Sequence, residues 1–584
     1  MARGGDEPHK APNSISSREK RRISRSCEAN LQNGGTTCAS VIIFQRSLEH
    51  PGCGSSKFGG LWKVPLTQQE LVEAGWPDDS EVLEQILREA TELNDKGISD
   101  PKYLVKLLER RFPKPDTRMV MREKPLPFRE AIEATNPVDE KNLKLVRRYM
   151  RELMACPVVE AGAIMPDACP AGNAPAHIPV GGAIAAKNAI LPGGHGSDIC
   201  CSMHATFFSG GGECDAMLDA LVDSTRFGPG GRVGADRVSS PVNDEPVWTN
   251  PFLSGLQDHA RAHMADQGDG NHFAFLGTVA FAEECLQRLE AAGYRELVRS
   301  IRERDQEQEL RVLVSHHGSR GLGAHVFKRG MQAAIKETAK IAAGVPDAAA
   351  WLSMDSEKGA DYWAALQYVG RWTKANHEAI HHRFLEEANA KSITAFGNEH
   401  NFVWKRGDLF LHGKGATPAW NDAKGRPLLG LIPLNMASPI LMVLGRDNPD
   451  YLSFAPHGAG RNLSRRALVR QFRRKDGSFD SDALEQELKN STKDIEVRWY
   501  LGKADISESP IGYKPAEQVR AQIDQFGLAD VVAQIEPLGS VMAGRSLGRD
   551  DEILTPKQHR QIQHRADRRK LRQQLRSNDW DVEE

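Results

Sequence analysis

Neither sign of charge prevails in this chain. Its 584 residues hold 76 Lys and Arg against 78 Asp and Glu, a formal net charge of -2, so the molecule is no general polycation and any contact with nucleic acid must use local basic patches. Cysteine is scarce and unpatterned: the nine cysteines include no CxxC pair, which argues against a zinc ribbon or disulfide framework and for a reducing compartment. Apolar runs are short, none approaching the roughly 20 residues of a membrane-spanning helix, and the opening MARGGDEPHK has no signal-peptide core. A soluble cytoplasmic protein with no membrane partner is expected. Tandem repeats are missing too, and the length suits one large catalytic body with appendages, or several domains.

Coarse organisation follows from the pattern of runs. Residues 1–27 are rich in Ser, Arg and Lys and end in SSREKRRISRSC, the composition of a mobile basic tail or of an RNA-contacting arm. Residues 28–155 form an N-terminal extension or accessory region, with a short VIIF run and a helical SEVLEQILREATEL that has a Ser cap. From 156 to 545 helical and strand-like patterns mix. A Gly-, Ala- and Pro-rich stretch over 157–208 reads as short strands and loops around a site. The spacing predicts an amphipathic helix over Leu286–Gln306, then a strand LRVLVSH, then long helices over Ala324–Ala343 and Gly359–Ala390. LFLHGKGATPAW, LLGLIPL and ILMVLG return to strand and turn. The expected fold class is α+β, a single large body. The tail over 546–584 sets Lys557, Arg560, Arg565, Arg568 and Arg569 among Ile562, Ala566 and Leu571, which reads as a basic helix that docks a partner, stays solvated or contacts RNA backbone.

The chemistry centres on GGHGSDICCSMH. Asp198 and Cys201, three apart, can point a carboxylate and a thiolate at one centre, and a thiolate can bridge two ions. Three downstream stretches each offer a histidine among small or polar residues: GDGNHF with His272, SHHGSRG with His316, and GNEHNF with His400. One Asp, one Cys and three His suit a pair of borderline divalent ions. Cys200 and His317 lie beside two of these candidates and are alternatives to them.

DICC, GDGNHF, HHGSRGLG, EHNF, HGKGATPA and PHGAGRNLSR occur in this order, and the series resembles the RtcB-type RNA ligases from about Met165 to about Gly544. The resemblance implies an RtcB-like catalytic body with an N-terminal extension and a basic helical tail. It implies an enzyme of RNA repair and tRNA splicing that joins a 3'-phosphate or 2',3'-cyclic phosphate RNA end to a 5'-hydroxyl end, uses two Mn2+ ions and GTP or another NTP, and in part of the family works with an archease-like activator. Carried over residue by residue, the metal ligands are Asp198, Cys201, His272, His316 and His400, and His457 is the nucleophile that takes the nucleotide. A neutral imidazole is competent for that attack on phosphorus. Nucleotide contacts fall to Asn271, Gly458, Ala459, Gly460, Lys414 and Tyr513, and phosphate or RNA contacts to Arg320, Arg461 and Arg465. Asp167, in the MPD triplet, matches a further family carboxylate.

The chain departs from the family pattern in places that bear on the base. Phe275 stands where an acidic residue would read guanine, and Ala543 where the family has a near-terminal lysine. Ala168 and Cys169 replace Val-His, Leu434 replaces a glycine, and Gly413 and Pro418 replace two arginines. A divergent RtcB-type ligase is the expected function. The alternatives are a 3'-end capping or processing enzyme with altered nucleotide specificity and a catalytically weak RNA-binding protein.

Overall fold

A computed structural model describes residues 66–546, apart from 79, 115, 173, 229, 305–308, 475, 479 and 493–494. The expected basic segment 1–27, the VIIF run and nearly all of the expected basic tail lie outside the described residues. The chain divides at Pro115/Asp116 into two compact units.

The described part of the first unit is helical. Helices Gln68–Glu73, Ser80–Asp95 and Pro101–Arg111 bury Leu71, Trp76, Leu83, Ile86, Leu104 and Leu108 on one another. Thr67 and Glu70 close the first helix with a reciprocal capping box, and Asp100 caps the third through the Tyr103 amide.

The second unit begins at Asp116, and packing ties its first residues to the rest of it. Strand Arg129–Glu130 pairs in parallel with strand Val159–Cys169. Helix Pro137–Met154 buries Leu143, Val146, Met150 and Leu153 in one cluster with Val159, Ile164 and Ile184. Asp139 on that helix, fully buried, bonds Lys514 at 2.6 Å. Residues 116–155 therefore belong to the larger unit.

Two sheets carry the larger unit. One has eight strands, with Ala390–Glu399, Ser202–Gly210, Arg311–His317, Phe273–Thr278, Ala529–Met542, Ile440–Gly445 and Leu429–Pro433 side by side and Glu496–Trp499 paired to the long Ala529–Met542 strand. The other runs Asn401–Arg406, Leu409–Lys414, Val180–Lys187, Val159–Cys169 and Arg129–Glu130. Val312, Leu313 and Val314 are buried on both faces of their strand, so the LRVLVSH run is a central strand covered on each side. The α+β class expected from the sequence is the observed one.

The two long helices occupy Arg320–Ile341 and Glu357–Glu387. The single helix expected over 286–306 is instead two, Glu283–Ala291 and Arg295–Glu303. Gly293 at φ 91° turns the chain left-handed between them, where glycine stops a helix at no steric cost. Tyr294 then donates its hydroxyl to the Pro427 carbonyl at 2.8 Å, which fixes the corner.

Candidate metal centre and nucleophile

Four neighbouring strand ends meet at one edge of the larger sheet. Cys201 precedes strand Ser202–Gly210, His272 precedes Phe273–Thr278, His316 closes Arg311–His317, and His400 follows Ala390–Glu399. Antiparallel pairing sets His316 opposite both Met203 and Phe273, and the His400 amide donates to the Cys201 carbonyl at 2.9 Å. Side chains more than a hundred residues apart are thereby gathered by register. His400 is also where the chain passes from the larger sheet into the smaller, whose strand Asn401–Arg406 begins at the next residue.

The five candidate ligands converge. Cys201 Sγ lies 3.2 Å from His316 Nε2 and 3.7 Å from His272 Nε2. His316 and His400 bring their Nε2 atoms within 3.2 Å, and His272 Nε2 is 3.0 Å from Asp198 Oδ2. The donors form two triads, Cys201–His316–His400 and Asp198–Cys201–His272, which share the sulfur. A shared thiolate is the arrangement that can bridge two cations.

The donor set fits cations on its own chemistry. His316 donates Nδ1–H to the Asn271 carbonyl at 3.2 Å, leaving Nε2 a lone pair. Burial pushes His316 down to about 3 and His400 well below the ordinary imidazole value, with neighbouring histidines adding to both shifts. Both rings are therefore neutral, as a cation's imidazole ligands must be. Burial, and then the charge of Asp198, pushes the Cys201 thiol well up, so a cation is what would make it a thiolate. Burial would raise Asp198 as well, but His272, Cys201 and Arg320 hold it down at about 2.

Cys200 and His317 point elsewhere. Cys200 takes φ 59°, a left-handed conformation that turns its buried thiol toward Thr373 and the apolar cluster around Trp372. His317 stacks on His377 with ring centroids 3.5 Å apart and hydrogen bonds to the Gly318 carbonyl at 3.1 Å.

Beside this centre stands His457, just past the short strand Phe454–Pro456. Its ring centroid is 4.8 Å from that of His400. Nδ1 of His457 donates to Asp167 Oδ2 at 2.6 Å, and that bond fixes the tautomer with Nε2 bare. Asp167 is completely buried on strand Val159–Cys169. The glycines around the pair leave no room for side chains: a Cβ at Gly460, which has φ +70°, would meet the Asp167 carbonyl at 1.9 Å, and one at Gly181 would meet Asp167 Oδ1 at 2.6 Å.

The remaining candidates divide into two groups. Arg320, at φ 55°, brings Nη1 within 3.5 Å of His272 Nδ1 and Nε within 3.8 Å of Asp266. Lys414 lies 3.2 Å from His177 and against Gly196, and burial pulls its pKa down to about 8. Arg461, Arg465 and Tyr513 instead turn toward a carboxylate that the motif reading missed. Arg465 Nε and the Tyr513 hydroxyl each donate to Glu508 at 2.7 Å, and the Arg461 guanidinium sits over the Tyr513 ring at 4.6 Å. Glu508 is 2% exposed. Its place in SESPIGYKP, five residues before Tyr513, was the available signal.

A family model described as tRNA-splicing ligase RtcB matches residues 249–543. The chain belongs to the RtcB family. A tRNA-splicing ligase RtcB of Thermococcus kodakarensis is 26% identical over 444 residues, covering 64% of this chain and 86% of that protein. For the tRNA-splicing ligase RtcB of Pyrococcus horikoshii the identity is 26%, with 60% of this chain covered but only 40% of the relative's length. The RNA-splicing ligase RtcB of Mycobacterium tuberculosis is 26% identical over 56% of this chain and 76% of its own.

Against the RtcB pattern the departures are all buried. Phe275 is 3% exposed among Phe207, Val314 and Ile535, and Ala543 is 2% exposed at the end of the long strand. A Cβ at Gly413 would meet the Ala416 carbonyl at 2.8 Å and Phe454 and Trp404 at 3.1 Å, so the packing here leaves no room for a larger side chain. Pro418 and Leu434 are buried as well.

Proposed function

We propose that this RtcB-family chain is a metal-dependent RNA ligase that joins RNA 3'-phosphate or 2',3'-cyclic phosphate ends to 5'-hydroxyl ends, such as tRNA splicing or RNA damage leaves. The observation that carries the reading is the Asp167–His457 pair at 2.6 Å with its ring beside His400. A histidine with Nδ1 tied to a buried carboxylate presents Nε2 as a nucleophile, and the same carboxylate balances the positive charge that builds on the ring.

In the proposed sequence, His457 Nε2 attacks the α-phosphorus of a nucleoside triphosphate. An N–P bond forms, the P–O bond to pyrophosphate breaks, and the Nδ1 proton stays on the Asp167 bond. A 2',3'-cyclic end is first opened by water, which adds to phosphorus as the P–O2' bond breaks and the 2'-oxygen takes a proton. An oxygen of the RNA 3'-phosphate next displaces His457, which takes back its lone pair. The 5'-hydroxyl finally attacks the activated 3'-phosphate, gives up its proton, and releases the nucleoside monophosphate. Divalent cations, Mn2+ foremost, held by Asp198, Cys201, His272, His316 and His400 would neutralise phosphate charge during these displacements.

The phosphates fall to Arg320 and Asn271, which border the candidate ligands, to Lys414, and to the Gly458-Ala459-Gly460 segment. Tyr513, Arg461 and Arg465 share Glu508 and offer a stacking face and further donors for nucleotide or RNA. GTP is the proposed nucleotide, with another NTP as the variant that Phe275 and Ala543 motivate. Family membership does not favour a bare RNA-binding role. Joining of a 3'-phosphate RNA to a 5'-hydroxyl RNA with Mn2+ and NTP tests the reading. Sealed product from the wild type and none from His457→Ala is expected; equal sealing by both contradicts it.

A further inference from the structure

The strands that carry Cys201 and His316 show different chemistry on their opposite face. Pairing sets Ser202 opposite His317 and His204 opposite Ser315. Side chains alternate along a strand, so Ser202, Thr206 and Ser315 face helix Glu357–Glu387, which presents His377 and His381 four residues apart. This seam is polar, and every one of those five side chains is buried.

The seam is one continuous hydrogen-bonded chain. His377 Nε2 is 3.0 Å from Ser202 Oγ, and His377 Nδ1 is 2.6 Å from Ser315 Oγ. Ser315 Oγ is 2.7 Å from His381 Nε2, and His381 Nδ1 is 2.7 Å from Thr206 Oγ1. Its direction follows from one end. The Ser202 hydroxyl donates to the Cys200 carbonyl at 3.0 Å, so it accepts from His377 Nε2–H. The bare Nδ1 of His377 then accepts from Ser315, Ser315 accepts from His381 Nε2–H, and His381 Nδ1 accepts from Thr206. Each proton is used once and both imidazoles are neutral, in agreement with burial, which holds both well below the ordinary imidazole value. A buried network satisfied in this way is rigid.

His377 thus ties Ser202, the residue after Cys201, to Ser315, the residue before His316. We propose that His377 is a positioning residue of the metal centre, setting the spacing of Cys201 and His316 by clamping the neighbour of each from beneath the sheet. The proposal rests on Cys201 and His316 being metal ligands. Outer-shell partners of this kind typically change metal affinity by about 10–100-fold.

Co2+ titration of the full-length chain tests this, read by d–d absorption and by thiolate-to-metal charge transfer from Cys201, with thermal unfolding of each metal-free form alongside. The variants are His377→Phe, which keeps a ring on His317 but no hydrogen-bonding atoms, Ser315→Ala, and Val369→Ala, an apolar cavity on the same helix. Weaker Co2+ binding by about 10–100-fold and an altered charge-transfer band in the first two, with Val369→Ala near wild type, are expected. Unchanged binding and band in His377→Phe and Ser315→Ala overturn the positioning role, and so does an equal loss in Val369→Ala. Should His377→Phe fail to fold, Ser315→Ala decides on the same criterion. A wild type with no thiolate band overturns the metal reading itself, and the positioning role with it.

Discussion

Asp167 Oδ2 and His457 Nδ1 meet at 2.6 Å, with the carboxylate fully buried and 19% of the histidine side chain open. Asp167 lies on strand Val159–Cys169 and His457 just past strand Phe454–Pro456, 290 residues apart in sequence. The burial of one and the partial exposure of the other suit the proposed division of roles, in which the acid orients and the imidazole reacts.

Asp167→Asn keeps the shape but loses the anionic acceptor, so the opposite tautomer of His457 becomes accessible and Nε2 carries the proton. Nucleotidylation is expected to slow by about 10²–10⁴-fold while metal stays bound. Single-turnover rates measured with labelled nucleotide check this, and a rate within about threefold of wild type contradicts it.

The adjacent cysteines separate by the direction of their side chains. Cys201→Ser is expected to weaken metal binding and to abolish any thiolate charge-transfer band. Cys200→Gly is expected to leave both intact, since glycine tolerates φ 59° and the Cys200 thiol faces Thr373. Metal content by elemental analysis and Co2+ spectra distinguish the two; a loss caused by Cys200→Gly would reverse the assignment.

Lys414 is expected to give the proposed reaction a pH signature. Burial pulls its pKa down to about 8, so the ammonium is present below that pH and lost above it. The KM for nucleotide is expected to rise as pH passes upward through about 8. In Lys414→Arg, whose guanidinium stays charged, the rise disappears. A KM that is flat with pH in the wild type, or a rise that persists in the arginine variant, counts against a phosphate role for Lys414.

Stability draws on a second buried pair. Lys514 and Asp139 bond at 2.6 Å with neither side chain exposed. Burial pushes Asp139 up, but Lys514 and Gln518 bonds leave it below the ordinary carboxylate value. A depressed acid adds stability above its unfolded pKa of about 3.9 and loses it as pH falls through the folded value. Lys514→Met leaves a buried charge unpaired and is expected to cost about 3–5 kcal/mol in urea unfolding, most of it recovered by adding Asp139→Leu. A single variant as stable as wild type contradicts the pairing.

The parts of the site that were legible in the sequence were those set by local chemistry. Asp198 and Cys201 sit in one turn, each histidine sits in a short polar motif, and register then brings His272, His316 and His400 to them. The rest depended on partners with no local signal. Glu508 is meaningful only once Arg465 and Tyr513 fold over it, and His377 looks like a surface residue of a long helix until Ser202 and Ser315 appear beneath it. The same holds for the boundary at Pro115/Asp116, because the bonds that hold 116–155 to the body, such as Asp139 to Lys514, span most of the chain. The fold class was readable because apolar runs such as LRVLVSH and ILMVLG are strands of ordinary length. The break at Gly293 was not, since the apolar period continues through it and only the left-handed turn interrupts the helix.

The most direct measurement is the intact mass of the protein after incubation with Mn2+ and each NTP in turn, for wild type and His457→Ala. A gain of one nucleoside monophosphate in the wild type, absent from the variant, is the predicted result, and the mass names the base. No gain with any NTP, or the same gain in His457→Ala, would contradict a nucleotidyl-histidine at the centre of the reaction.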